Sequence, residues 1–309
     1  MFLNILLLIN KEMKIKWKKK FLERYSKLTE LDEFLEYSLK PLPKTIRINT
    51  LKTSVKHMQE KFDLKPIPWC KEGFYLNGLG LGNLQEHFLG QFYIQSSASM
   101  IPPIVLNPKP NETVLDMCAS PGSKTSQMAA MMKNKGIIIA NDIQSIRLKP
   151  LTANLQRLGV SNCLITLMNG LWFKNMEFDK ILLDAPCSGI GTIRKSYKTI
   201  EMWNPKFANF LARTQRKLFN TAIKMLKPSG TLVYSTCTLE PEENEGLLNQ
   251  VLQDNKNIHL EKFELDIKRS KPITNFNNEE YSSEIKKALR IWPQDNNTEG
   301  FFVAKIKKE

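Results

Sequence analysis

Two segments of the chain decide its fold: Asp184-Ala185-Pro186-Cys187-Ser188-Gly189 and Ser235-Thr236-Cys237-Thr238. Each follows a short run of apolar and β-branched residues, 181–183 in the first case and 232–234 in the second. Such runs are typical of strands buried on both faces of a parallel sheet. Ligands of these sheets lie outside the carboxyl ends of the strands. We therefore expect the two thiols and the Asp184 carboxylate at one edge of a sheet.

The composition is that of an ordinary globular protein with an unusual charge. Of its 309 residues, 42% are hydrophobic and 25% are charged, and a chain of this length can bury a large core. The formal net charge is +14. A solvated surface accounts for part of this excess. A polyanionic partner explains it better, with nucleic acid ahead of an acidic membrane.

The five cysteines are widely spaced and odd in number, which is not the pattern of a disulfide framework. They indicate a reducing compartment, and we expect a cytoplasmic protein. No CxxC pair is present and the three histidines are scattered, so we expect no metal site. The apolar stretch 1–9 is too short to span a bilayer and lacks signal-peptide features, and Met13 is at least as good a start.

We predict three parts: a basic helical segment over 1–40, a small α+β unit over 41–105 and a larger domain over 106–309. Lysines interleave with apolar positions in 11–40, which fits either a solvated amphipathic helix or a helix that contacts phosphates. In the α+β unit we predict strands near 45–50 and 73–76 and a helix near 54–62. The residues expected in its core are Trp69, Phe74, Phe88, Phe92 and Tyr93.

Strand and helix patterns alternate from about Asn111, which predicts a doubly wound, Rossmann-like α/β sheet. We expect Pro150 to kink the second helix or delay its start. Pro241 and the glutamates after it are assigned to a helix start rather than to catalysis. The polar stretch 270–284 is predicted to be a surface loop. The predicted strands are 113–117, 136–140, 163–167, 179–184, 231–235 and 301–306, and the predicted helices are 124–132, 145–158, 205–226 and 241–254.

A second candidate site is the loop Asp116-Met117-Cys118-Ala119-Ser120-Pro121-Gly122-Ser123-Lys124-Thr125. A strand, a tight turn of small residues and a helix start suit a nucleotide-like ligand. Neither Walker nor GxGxxG spacing is present. Asp142 lies 20 residues after Gly122 (142 minus 122), the usual offset of a carboxylate that binds ribose, although it could also cap a helix. S-adenosylmethionine fits because it carries ribose and adenine without phosphates.

Two residues of this loop, Cys118 and Lys124, differ from the others in what they are expected to do. Cys118, at the end of a first strand, is expected to be a packing thiol. Lys124 stands at a helix start, where the helix dipole disfavours a cation. It therefore needs a compensating partner, such as a ligand carboxylate or a substrate base.

Two thiols and a carboxyl group suit methylation of a pyrimidine at carbon 5. That carbon becomes nucleophilic when a thiolate adds to carbon 6, which divides one difficult step into two. A carboxyl group can supply the proton or strong hydrogen bond that ring nitrogen 3 requires. A second polar residue can assist when the carbon 5 proton leaves and the thiol is expelled. Inert packing would explain Cys187 or Cys237 alone. It explains less well why both cysteines occur at strand ends beside a cofactor loop.

The chain resembles the Sun-type (nucleolar-protein/Sun) RNA cytosine-5 methyltransferases, and among them most the archaeal tRNA members. The resemblance extends from about Leu39 to the C-terminus. The segments that carry it are Arg47-Ile48-Asn49-Thr50, Gln95 with Ser99-Met100, 118–125, 184–189, Gly191-Thr192-Ile193-Arg194-Lys195, 235–238, Glu242-Glu243-Asn244-Glu245 and 300–307.

The resemblance implies roles for individual residues. Cys237 would be the nucleophile, Cys187 would assist product release, Asp184 would contact the cytosine, and Lys124 would lie near the methionine moiety and the base. Asn169 stands where the family usually has an aspartate against the adenine; its amide can still accept a hydrogen bond. The residues implied around the cofactor are Cys118, Ala119, Ser120, Pro121, Gly122, Ser123, Lys124, Asp142, Asn169 and Asp184.

The sequence therefore predicts a monomeric, S-adenosylmethionine-dependent RNA cytosine-5 methyltransferase, in which the α+β unit binds RNA. tRNA is the first substrate expected and ribosomal RNA the second. The alternative from another class is a catalytically silent RNA-binding protein with the same fold, against which both cysteines argue. A thiol oxidoreductase is disfavoured by the absence of CxxC.

Overall fold

The computed structural model describes residues 16–78 and 80–309. The predictions for 1–9 and for Met13, and the part of the 11–40 prediction that falls on 11–15, lie outside these residues. The larger domain contains an eight-stranded sheet. Its strands are β5 (Thr113–Asp116), β6 (Ile137–Asp142), β7 (Cys163–Leu167), β8 (Phe178–Asp184), β9 (Leu226–Thr236), β10 (Ile258–Glu261), β13 (Leu289–Ile291) and β14 (Phe301–Lys308). Seven of these strands run in the order β10-β14-β9-β8-β5-β6-β7, and β13 pairs with β14.

The neighbouring strands from β7 to β9 pair in parallel, and β14 is antiparallel to β9. The chain order reverses between β5 and β8, which is where such sheets bind ligands. The doubly wound Rossmann-like fold is thus confirmed.

Alternate side chains of the buried strands fill two cores, one on each face of the sheet. Ile181 and Leu183 of β8 pack on one face with helices α9 (Pro205–Met225) and α10 (Glu245–Asp254), whereas Leu182 packs on the other. The second face is covered by α5 (Ile101–Leu106) and α6 (Ser123–Met131). Helix α7 (Ser145–Arg157) lies next to α6.

The structure corrects two points about helices in this domain. Of the two effects expected of Pro150, the delayed start is wrong, because helix α7 begins at Ser145 and continues through Pro150. The predicted helix over 241–254 is divided into a 3-10 turn, Pro241–Glu243, and α10. Asn244 separates them with φ −119° and ψ −98°, because its side chain bonds to Thr236 and to the carbonyl of Thr238.

The predicted loop over 270–284 contains a small hairpin. Its strands are β11 (Asn275–Phe276) and β12 (Glu279–Glu280). Two further short helices complete the domain, α8 (Lys198–Met202) and α11 (Pro293–Asn296).

The α+β unit has four strands where the sequence predicted two. β1 (Thr45–Ile48), β2 (Lys65–Ile67), β3 (Cys70–Tyr75) and β4 (Phe92–Ile94) form an antiparallel sheet in the order β2-β3-β1-β4. Its helices are α3 (Val55–Lys61) and α4 (Gln85–Phe88).

The predicted aromatic core of this unit is only partly correct. Phe74 and Phe92 are buried in it, as expected. Phe88 is 78% exposed, and Tyr93 is half-buried between the guanidinium groups of Arg47 and Arg157. Trp69 packs in the core that the unit shares with the large sheet, where its indole donates to the Ser97 carbonyl.

Helices α1 (Lys19–Tyr25) and α2 (Leu31–Leu39) are anchored to the larger domain by aromatic side chains. Phe21, Tyr25 and Phe34 are fully buried against Trp203 and Trp292. The segment is therefore not a freely solvated helix, since one face is part of a core.

Within the described ranges, no helix is long and apolar enough to cross a membrane. No cluster of three or more metal-ligating side chains is found there either.

Candidate active site

Asp184 ends β8 and lies opposite Ser235, the last residue but one of the adjacent parallel strand β9. The Ser235 hydroxyl donates to Asp184 Oδ1 over 2.7 Å, and Lys124 Nζ donates to Asp184 Oδ2 over 2.7 Å. The carboxylate is thus fixed from two sides, by its neighbouring strand and by the start of α6.

Asp184 is the compensating partner that the position of Lys124 requires. Burial lowers the pKa of the Lys124 ammonium, but the charges of Asp184, Cys237 and Asp116 raise it more, so that the net pKa lies above its ordinary value. A cation is thereby retained beside the carboxylate and near Cys237.

The two cysteines meet at the same edge of the sheet, with Cys187 Sγ and Cys237 Sγ 3.4 Å apart. Their loops follow β8 and β9 and are 50 residues apart in the chain. The hydrogen bond with Cys237, burial, and the charges of Cys237, Glu243 and Asp184 together raise the pKa of the Cys187 thiol well above its ordinary value. Cys187 is thus held as a neutral thiol next to Cys237.

Glu243 fixes the loop that carries Cys187. Its buried carboxylate accepts hydrogen bonds from the Ser188 amide over 3.0 Å, from the Ser188 hydroxyl, and from Gln215 Nε2 over 2.8 Å. The same Gln215 amide donates to the Pro186 carbonyl over 2.8 Å. Burial raises the pKa of Glu243 to about 7.

The glutamates after Pro241 stand in the first turns of the 3-10 turn and of α10, as predicted, but their side chains also bind residues remote in the chain. Glu243 holds the Cys187 loop, and Glu245 forms a fully buried ion pair with Arg290. Glu240 pairs with Arg24 and accepts from Trp203. Sequence reasoning missed these contacts because each partner is remote in the chain.

Two glycines fix the loop that carries Cys237. The Gly191 amide donates to the Cys237 carbonyl and the Gly300 amide donates to the Gly191 carbonyl, each over 2.9 Å. A Cβ atom at Gly191 would lie 2.1 Å from the Gly300 carbonyl oxygen, so only glycine allows this approach.

Arg47 connects the α+β unit to the second loop. Its buried guanidinium donates to the Ser123 carbonyl over 2.7 Å and to Ser126 Oγ over 2.8 Å, both in α6. The α+β unit thereby supports the helix from which Lys124 extends.

A cavity of about 420 Å³ opens at the carboxyl ends of the strands and reaches both cysteines. Of the predicted site residues, the cavity is lined by Cys118, Ser120, Asp142, Asn169, Asp184, Cys187 and Cys237. Ala119, Pro121, Gly122, Ser123 and Lys124 are not among its lining residues. The lining also includes Met117, Ala185 and Pro186 from the two quoted segments. The lining residues that the sequence did not indicate are Asn141, Ile143, Gln144, Arg147, Gly170, Leu171, Thr214 and Leu218.

Asp142 presents an unsatisfied carboxylate to this cavity. It is 2% exposed, and its Oδ1 accepts from the Gln144 amide over 3.1 Å. Its Oδ2 is buried without a hydrogen bond in the described structure, and its nearest cation, Arg147 Nη1, is 3.6 Å away. Gln144, not Asp142, is the N-cap of α7. The unpaired oxygen fits a ligand that donates hydroxyl groups.

Other polar groups near Asp142 either accept hydrogen bonds from the protein or are held neutral. Asn169 Oδ1 accepts from the Leu171 amide over 3.0 Å. Burial and the charges of Asp116, Asp184 and Asp142 raise the pKa of Cys118, so it remains a neutral thiol. Asp116 lies beneath the loop, where Thr125 donates to it over 2.6 Å and burial raises its pKa to about 7.

The sheet order and the cavity at its switch point define a Rossmann-like methyltransferase. The sequence profile described as 16S rRNA methyltransferase RsmB/F matches residues 103–307, and that of the N-terminal domain of 16S rRNA methyltransferase RsmF matches residues 18–97. The chain belongs to this RsmB/F, or Sun-type, family of RNA cytosine-5 methyltransferases, which confirms the resemblance.

Two curated relatives and one solved structure illustrate the similarity. The tRNA (cytosine(49)-C(5))-methyltransferase of Pyrococcus abyssi is 48% identical over 94% of this chain and 96% of its own length. Ribosomal RNA small subunit methyltransferase F of Shewanella loihica is 41% identical over 90% of this chain, which spans 59% of that relative. The crystal structure of NSun6 from Pyrococcus horikoshii with SFG, an S-adenosylmethionine analogue, is 27% identical with a TM-score of 0.82, over 94% and 98% of the two chains.

Proposed function

We propose that this protein transfers a methyl group from S-adenosylmethionine to carbon 5 of cytosine in tRNA, through a covalent adduct with Cys237. The observation that carries the proposal is the approach of two thiols to 3.4 Å beside the Asp184–Lys124 pair. Family membership supports the reaction class, and the P. abyssi relative supports tRNA.

The cavity residues fit S-adenosylmethionine. The Oδ2 of Asp142, which has no hydrogen bond, can accept from the ribose hydroxyls, and Asn169 lines the same cavity. Bound there, S-adenosylmethionine supplies the methyl group. The cofactor-loop residues outside the lining, from Pro121 to Lys124, are assigned to shaping the loop and, for Lys124, to the reaction.

In the first step, the Cys237 thiolate forms a bond to carbon 6 of the cytosine. Negative charge develops at ring nitrogen 3, which gains a proton from the Lys124 ammonium that the Asp184 carboxylate holds in place. Carbon 5 then forms a bond to the methyl group as the methyl–sulfur bond of the cofactor breaks. Loss of the carbon 5 proton to solvent, cleavage of the sulfur–carbon 6 bond and return of the nitrogen 3 proton to Lys124 restore the ring and release Cys237 as a thiolate.

The family resemblance and the nearness of Lys124 favour Cys237 rather than Cys187 as the nucleophile. The Lys124 cation interacts with Cys237, and the two thiols lie 3.4 Å apart, so that only one of them need be ionised. A thiolate needs a nearby cation and a thiol does not. Cys187 can therefore assist when the adduct breaks down.

Ribosomal RNA is the second candidate substrate. It is favoured by the family's description and by the 41% identity to the S. loihica relative. The basic segment and the α+β unit are proposed to hold the RNA in either case. Both candidates use the same site and differ only in the RNA presented to it.

Bisulfite sequencing separates these possibilities. Purified protein, S-adenosylmethionine and either an unmodified tRNA transcript or a 16S rRNA transcript are incubated together, and protected cytosines are mapped. We expect a protected cytosine in the tRNA, with Cys163→Ala as a control because Cys163 lies on β7, outside the cavity lining. Protection in ribosomal RNA alone would support the second substrate, and protection in neither would refute the reaction.

A further inference from the structure

Helix α9 exposes two aromatic rings near its N-terminus. Phe207 is 46% exposed and Phe210 is 61% exposed. Their rings are nearly parallel, with an interplanar angle of 14° and centroids 6.4 Å apart. Met202, just before this helix, is also exposed. The proposed reaction does not use this patch, which we call the α9 aromatic patch.

The α9 aromatic patch continues the wall of the catalytic cavity. Phe207, Phe210, Thr214 and Leu218 follow one another at intervals of three or four residues, so they lie along one face of α9. Thr214 and Leu218 line the cavity that contains both cysteines. Phe207 also lines a small cavity together with Ser188, the residue after Cys187. The rings therefore lie on the helix face that continues outward from the cavity wall.

Cationic side chains lie near the patch in the chain, on α9 and on α8 just before it. Lys198, Lys206 and Arg213 are exposed and form no ion pair with any acid of residues 16–78 or 80–309. The Lys18 ammonium donates to the carbonyls of Glu201 and Trp203, which brings the lysine-rich start of α1 to the same surface. Aromatic rings within a cationic rim fit a polyanion with exposed bases better than an apolar protein surface.

We propose that the α9 aromatic patch stacks with unpaired RNA nucleotides next to the target cytosine, while the surrounding cations contact their phosphates. The inference depends on the proposed function, because it assumes an RNA substrate. A base that undergoes chemistry must leave its helical stack, which leaves its neighbours without a partner. Proteins bind such unstacked bases on aromatic side chains, in a manner tolerant of sequence.

The test compares the double variant Phe207→Ala/Phe210→Ala with the wild-type protein and with Ile137→Ala. Ile137 is an equally exposed apolar residue at the amino end of β6, away from the cavity. The probe is a short single-stranded RNA with one cytosine, in an intact form and in a form with abasic sites on both sides of that cytosine. RNA affinity is measured by fluorescence anisotropy at several salt concentrations, and S-adenosylmethionine affinity by calorimetry.

We expect the double variant to bind the intact RNA about tenfold or more weakly, with an unchanged salt dependence and unchanged cofactor affinity. Abasic sites should weaken binding by the wild-type protein and have no effect on the double variant, because both changes remove the same stacking. Phe210→Trp should retain binding, and Ile137→Ala should match the wild-type protein.

Full RNA affinity in the double variant would overturn the proposal and leave the patch to a protein partner. The proposal would also be overturned if abasic sites weakened RNA binding equally in the wild-type protein and the double variant. It would be overturned as well if a loss of cofactor affinity accounted for the weaker RNA binding of the double variant. A wild-type protein that binds the RNA through these rings without methylating any cytosine would instead support the surface and refute the reaction.

Discussion

The carboxylates at the two ends of the cavity differ in how many hydrogen bonds they already accept from the protein. At the thiol end, which is lined by Asp184, Cys187 and Cys237 and has Lys124 behind it, both oxygens of Asp184 already accept hydrogen bonds from the protein. At the opposite end, Asp142 has a buried oxygen with no hydrogen bond in the described structure. The thiol end is thus organised before any ligand arrives, whereas the Asp142 end has a hydrogen-bonding capacity left for a ligand. Substitutions at the thiol end should therefore alter chemistry, and those at Asp142 should alter affinity.

The sharpest test of this contrast separates the two cysteines. Cys237→Ala should lower the methylation rate by a factor on the order of 10⁴ or more and form no covalent adduct with RNA, because the nucleophile is gone. Cys187→Ala should still attack but release slowly, so that RNA-linked protein survives denaturing electrophoresis. The double variant should behave like Cys237→Ala.

Cys163→Ala is the matched control for these variants and should methylate normally. An adduct trapped by Cys237→Ala and absent from Cys187→Ala would reverse the two roles. Absence of an adduct in every variant, with an inactive wild-type protein, would favour a silent RNA-binding protein.

We expect the free energy of unfolding to depend on pH through Glu243, which holds the thiol end. Its pKa in the folded protein is raised from 4.5 to about 7 by burial. A raised pKa means that the neutral form is favoured by folding, so this contribution to stability is present below about pH 4.5 and is lost as the pH rises through about 7.

Glu243→Gln should remove this dependence, and its unfolding free energy should fall less steeply between pH 4.5 and 7, by up to about 3 kcal/mol. Urea denaturation across this range measures the difference. Asp116 still titrates in the variant, so some slope should persist. Parallel curves for the two proteins would show that Glu243 does not carry the effect.

At the other end of the cavity, Asp142→Ala should weaken S-adenosylmethionine binding by roughly 1.5–3 kcal/mol, or about tenfold or more, through the loss of charge-assisted hydrogen bonds. Calorimetry with the purified protein gives this value. Asp179→Ala is a suitable control, because its carboxylate pairs with Lys227 on the opposite edge of the sheet. Normal cofactor affinity in a folded Asp142→Ala protein would remove the distinction between the two ends.

The smallest expected effect lies outside the cavity, in the basic segment. Lys18 is occupied by backbone carbonyls, so the exposed Lys19 and Lys20 are the better probes of phosphate contact. Their double substitution by alanine should weaken RNA binding at low salt and reduce the slope of log affinity against log salt by up to about 1.5. Cofactor binding should not change. An unaltered slope would leave these lysines as solvated residues of α1.

The sequence predicted the thiol end well because its residues follow buried strands directly. Asp184 and Cys237 each stand within two residues of the point where a strand leaves the core, and parallel strands bring their carboxyl ends to one edge. The position of Lys124 at a helix start also indicated a partner before any contact was known.

The contacts that support the site could not be predicted in this way. Glu243 and Ser188 are 55 residues apart, and Arg47 and Ser123 are 76 apart, so no local pattern links them. Asn244 divides a helix because of side-chain bonds that only the folded loop provides. Phe88 was assigned to a core because aromatic residues are usually buried, yet it is exposed in the fold.

Strand β14 determines when, during synthesis of the chain, the thiol end can form. It lies between β9 and β10 in the sheet, and the Gly300 amide just before it binds the Gly191 carbonyl beside Cys237. While residues 300–308 are still inside the ribosome, β9 has an unpaired edge and the Cys237 loop lacks its support. We therefore expect the Cys237 loop of a nascent chain to take its final shape only after β14 has emerged from the ribosome and paired with β9.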